Sequence, residues 1–129
     1  MNEPGSKEAR ANVSDSLKKG YTLHTVDLAL AESLNAMWKH VNVLKDLKAE
    51  EAEPAIKDLT RIYDSLEIIT VRSITEETTQ IALTHNITVY DALYIAAAQK
   101  LKGTLYTADQ KLCTTANKIT SSKLLKPKA

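Results

Sequence analysis

The sequence predicts an α/β layer fold with a mainly parallel sheet, and three observations carry that expectation. Leu66–Val71 (LEIITV) is a compact run of apolar, β-branched residues, the pattern of a strand buried on both faces. The stretch TVYDALYIAAAQKLKGTLYTAD, residues 88–109, reads as a helix apolar nearly all round, a turn at Gly103 and a short strand from Thr104 to Tyr106. Predicted strands alternate with predicted helices, which is how helices come to lie on the faces of a parallel sheet.

Taken in order, the elements are these. Pro4-Gly5 is turn-like, and a helix is expected from Ser6 to Lys19, capped by Ser6 and stopped by Gly20. Tyr21–Thr25 is a short strand. Val26–Val41 is a helix with Asp27 in its first turn. Leu30, Leu34, Met37, Trp38 and Val41 form its apolar face, with Glu32, Asn35 and Lys39 on the other side. A third helix begins in Lys45–Glu53 and runs to about Asp64, with Ile56, Leu59 and Ile62 facing inward. Pro54 requires that its first turn lie there. After the LEIITV strand, Ser73-Ile-Thr-Glu76 has the capping-box pattern and opens a fourth helix through Leu83. Beyond the Thr104 strand, Asp109–Asn117 is a last short helix, and Ser121–Ala129 is a tail with room for one edge strand.

Length and composition bound the function. The 129 residues fit one domain, 1–129, with roughly two-thirds of the unfolded surface buried on folding. The 43% hydrophobic and 26% charged fractions are those of a globular protein. One cysteine, Cys113, permits no internal disulfide. The polar start and the lack of any apolar run near the ~20 residues of a membrane span make a cytoplasmic location the expectation. Residues 1–98 carry ten basic and fifteen acidic side chains, and residues 99–129 carry seven lysines against Asp109 alone. Such a basic end suits a phosphate backbone, or simply solubility.

Sites in open parallel sheets form outside the carboxyl ends of the strands. Glu32 and Asp109 are expected there, and Asp91 joins them if the first turn of its helix reaches the same edge. Clustered carboxylates repel unless a cation neutralises them, and hard ions such as Mg²⁺ or Mn²⁺ favour oxygen ligands. Each acid also has a plainer reading. Asp91 can serve a helix terminus through Thr88-x-x-Asp91, Asp109 can be an N-cap, and Glu32 can be a solvated charge. Thr107 can cap or hold Asp109 by a hydroxyl hydrogen bond, and Asn35 can support Glu32 or lie on the surface. No phosphate-cradling glycine loop and no G-x-S-x-G elbow occurs, and His24, His40 and His85 lack metal-ligand spacing.

Three segments, DLALAESLNAMWK (27–39), ITVYDALYIAAAQ (87–99) and LYTADQKL (105–112), resemble the successive motifs of PIN domains, and in particular the VapC toxins of type II toxin–antitoxin pairs. The resemblance spans nearly the whole chain. It implies an α/β/α sandwich and a Mg²⁺- or Mn²⁺-dependent endoribonuclease acting through metal-activated water. Glu32, Asp91 and Asp109 match three acidic positions of the family, and Thr107 matches the hydroxyl residue before the last acid. The family further implies an RNA substrate, homodimers and a VapB-like antitoxin. It opens with an apolar strand that is central in its sheet and ends in a metal-binding Asp. The sequence given begins after that point, so three carboxylates are expected where the family uses four, with weaker metal binding. Two expectations follow: a nuclease of the VapC type, or a PIN-fold protein that is impaired in catalysis and binds an antitoxin or RNA. A phosphatase or receiver domain shares the α/β pattern but not the YDALY motif.

Overall fold

The computed structural model describes residues 22–125, and the helix expected over Ser6–Lys19 lies outside them. Strand β1, His24–Val26, is followed by α1, Leu28–Asn42, and α2, Ala49–Asp64. Strand β2, Glu67–Ile69, leads through a 3-10 turn, Val71–Ile74, into α3, Thr75–His85. Then come α4, Val89–Leu101, strand β3, Thr104–Thr107, helix α5, Gln110–Ala116, and strand β4, Ser121–Leu124.

The described strands pair as two parallel ladders. β1 lies beside β2 with Thr25 opposite Ile68, and β3 lies beside β4 with Tyr106 opposite Lys123. Parallel neighbours require a crossover. The α1–α2 hairpin provides the first and α5 the second. The two ladders are not hydrogen-bonded to each other among the described residues. Helix α4 packs on β1 and on β3, and so holds both ladders to one core.

That core is largely α4 itself. Ala92, Leu93, Ile95, Ala96, Ala97 and Ala98 are all buried, and Val26, Ile74, Ile81, Leu112 and Ala116 pack around most of them. The alanines keep this helix slim, so α3 and the strands can approach it closely, and Ile95 fills the space they leave. Thr88 caps the helix by accepting from the Asp91 N–H at 3.2 Å. Its end is a left-handed residue, but that residue is Lys102, at φ 53°, rather than Gly103.

Several expectations change. Trp38 is 54% exposed, and Met37 is the buried residue of α1. No residue of α2 is buried, and Ile56 and Ile62 face outward rather than inward. The reason is that α2 packs chiefly on α1, so the hairpin leaves much of its apolar surface uncovered. Pro54 falls in the second turn of α2, where its missing N–H leaves one helical bond unmade. Ser73 makes no capping box. Its hydroxyl donates to the Thr70 carbonyl at 2.7 Å inside the 3-10 turn, and α3 starts two residues later. The strand expected over Leu66–Val71 shortens to three residues because Val71 already belongs to that turn.

Candidate active site

Asp91 is the third residue of α4 and sits half-buried in the first turn. Side chains three apart on a helix share a face, so Tyr94 stands directly beyond it. Glu32 reaches the same place from the second turn of α1, and the Tyr94 hydroxyl donates a hydrogen bond to its carboxylate Oε1. Burial, the bond to Glu32 and the charges of Glu32 and Asp91 together push the Tyr94 pKa well above the usual phenol value. The phenol therefore remains a neutral donor between two carboxylates.

Helix α4 returns into β3 through the tight Lys102–Gly103 turn, so the start of α4 and the end of β3 lie at the same end of this unit. A small recess of about 110 Å³ opens there, lined by Asn86, Ile87, Thr88 and Asp91 and by Lys111, Leu112 and Thr115 of α5. Lys111 and Asp91 thus line the same recess with opposite charges.

Asp109 caps α5. Its Oδ1 accepts from the Leu112 N–H at 3.1 Å, while its own N–H donates to Thr107 Oγ1 at 3.1 Å. Thr107 therefore fixes the Asp109 backbone rather than its carboxylate. Asn35 is exposed, and no hydrogen bond joins it to Glu32 among the described residues. A further acid, Asp27, caps α1 and accepts from the Val71 N–H at 3.0 Å, tying the end of β1 to the end of β2.

The structure thus gathers Glu32 and Asp91 around Tyr94 and leaves Asp109 turned into its own helix cap. No group of three His, Cys, Asp or Glu that could hold a metal occurs among the described residues. A pair of carboxylates still fits Mg²⁺, which commonly takes one or two of them and completes its shell with waters and substrate phosphate. Tyr94 joins Glu32 through its hydroxyl. In the sequence it counts toward the apolar surface of α4, and only its i+3 spacing from Asp91 hints at a place beside the acids.

The PIN domain model matches residues 2–118, and the chain belongs to the PIN domain family. It is similar to Ribonuclease VapC3 of Pyrobaculum aerophilum, with 34% identity over 110 residues covering 85% of this chain and 80% of that protein. No helix among the described residues is long and apolar enough to cross a membrane.

Proposed function

We propose that this chain, with residues 1–129 as one PIN domain, is a VapC-type endoribonuclease that hydrolyses RNA phosphodiester bonds with Mg²⁺ or Mn²⁺. The observation that carries the reading is the convergence of Glu32 and Asp91 on Tyr94 in a chain of this family. Glu32 and Asp91 would hold the cation. Asp109 acts from the neighbouring element, one cap away from the recess that Asp91 and Lys111 line. With Glu32 and Asp91 holding a divalent ion, the chemistry it would supply is activation of a water and stabilisation of charge on the phosphodiester. Lys111 orients a substrate phosphate in the recess, and Thr107 keeps Asp109 in register by holding its N–H. No covalent intermediate forms on the protein.

The partners follow the same resemblance: RNA as substrate, a VapB-like antitoxin, a second copy of the chain in a homodimer, and a cytoplasmic setting. The uncovered apolar side chains of the α1–α2 hairpin, with Leu34, Trp38, Ile56 and Ile62 among them, support a protein partner.

The test is cleavage of single-stranded RNA by purified protein. Mg²⁺ or Mn²⁺ should support cutting, EDTA should stop it, and Asp91→Asn should abolish it. Equal cutting by wild type and mutant, or in EDTA, refutes the reading. A second reading, binding of antitoxin or RNA without cutting, is favoured by the lack of a three-carboxylate group among the described residues. Calorimetric uptake of Mn²⁺ in the micromolar range, together with cutting, excludes it.

A further inference from the structure

We propose that Tyr94 is a positioning residue for the nuclease site, holding the Glu32 carboxylate in place beside Asp91 before the cation arrives. The proposal rests on the nuclease reading above. Its geometry is specific. Glu32 is an exposed side chain on α1, with three rotatable bonds and no other hydrogen bond to its carboxylate among the described residues. Left alone, such a side chain samples many rotamers, and ordering it opposes any ligand that needs it in one. Tyr94 belongs to the most deeply buried of the described helices, and its ring packs partly buried against the hydrophobic core. Its ring is therefore anchored by the core, while its hydroxyl is committed to Oε1 of Glu32. One turn earlier the same helix presents Asp91. A rigid element thus carries one acid directly and fixes the other through a phenol.

The bond uses one lone pair of one Glu32 oxygen. The remaining lone pairs stay free for a cation, because a carboxylate offers about four acceptor positions and a phenol fills one. Partners of this outer kind commonly set metal affinity by about 10- to 100-fold.

Tyr94→Phe removes the hydroxyl and keeps the ring, so the packing around Leu93 and Ile95 stays intact. Calorimetric titration with Mn²⁺ should show binding weakened about tenfold. The kcat for RNA should fall while KM changes little, and the thermal midpoint should stay close to that of wild type. In a Glu32→Gln background the Tyr94→Phe change should weaken Mn²⁺ binding little further, because Tyr94 acts through Glu32. Mn²⁺ affinity and kcat of Tyr94→Phe within about twofold of wild type would overturn the positioning role alone. So would an equal loss in the Glu32→Gln background, since that assigns Tyr94 a general structural part. A wild-type protein that neither takes up Mn²⁺ nor cuts RNA overturns both this role and the nuclease reading.

Discussion

Truncating Ile95 to alanine tests whether α4 is the element on which both ladders depend. Ile95 is fully buried, at 0% exposure, and lies in the cluster with Val26, Ile74, Ala92 and Ala96. The change removes three carbon groups. At about 0.8 kcal/mol per buried CH₂ the transfer loss alone is about 2.4 kcal/mol. Its neighbours include short alanines on a helix backbone, which cannot lean far enough to refill the space, so a cavity remains and raises the cost to about 3–5 kcal/mol. Ile95→Val removes one methyl group and should cost about 1 kcal/mol. Tyr90→Ala on the same helix, at a side chain 61% exposed, should cost no more than about 0.5 kcal/mol. Equilibrium urea unfolding of the three variants against wild type measures these differences. If Ile95→Ala costs under about 1 kcal/mol, or no more than Tyr90→Ala, α4 is not the packed centre described here.

Three further predictions follow from the same contacts. Asp109→Asn keeps a good N-cap and should change the urea midpoint little, whereas Asp109→Ala should cost about 1 kcal/mol; metal-dependent RNA cleavage should fall in both, and cleavage that tracks only stability would leave Asp109 a cap. Because the Tyr94 pKa is raised in the folded protein, this phenol leaves stability independent of pH below about pH 10, the unfolded phenol value, and lowers it as pH rises beyond that; wild type and Tyr94→Phe, close in urea at neutral pH, should separate across that range with wild type the less stable, and parallel pH curves would contradict the shift. Lys102→Gly should stabilise by about 1 kcal/mol by relieving a left-handed lysine, while Gly103→Ala should stay within about 0.5 kcal/mol because its added methyl group meets nothing nearer than Leu101 Cβ at 3.9 Å; thermal or urea unfolding decides both.

What was legible in the sequence was what one segment settles by itself. The α4 stretch announced a buried helix because its apolar residues leave no face for water. Thr88 and Asp109 announced caps because capping is decided within four residues. The parallel pairing followed from short apolar strands separated by helices. What failed depended on which element lies across from which. Trp38 and Met37 are adjacent on α1 and equally apolar, and only the placement of α1 against the rest buries one and exposes the other. Ile56 and Ile62 carry a clean amphipathic pattern, yet the pattern cannot say that, among the described residues, α2 leans chiefly on α1. The Ser73 capping box failed for a local reason instead, since the Thr70 carbonyl captured the hydroxyl first.

The same division runs through the candidate site. Glu32, Asp91 and Asp109 were found by residue type and order, which a sequence displays. Their mutual geometry is a tertiary fact, and it divides them: two acids meet at Tyr94, and the third completes its own helix. A tyrosine within an apolar helix reads as packing because packing is what most of its surface does. Its hydroxyl, however, lies at the edge of the core, where a half-buried polar group must find a partner. The partner it finds is Glu32, 62 positions away in the chain. A single atom on a core-anchored ring can therefore link the part of the fold that sequence predicts well to the part that it does not.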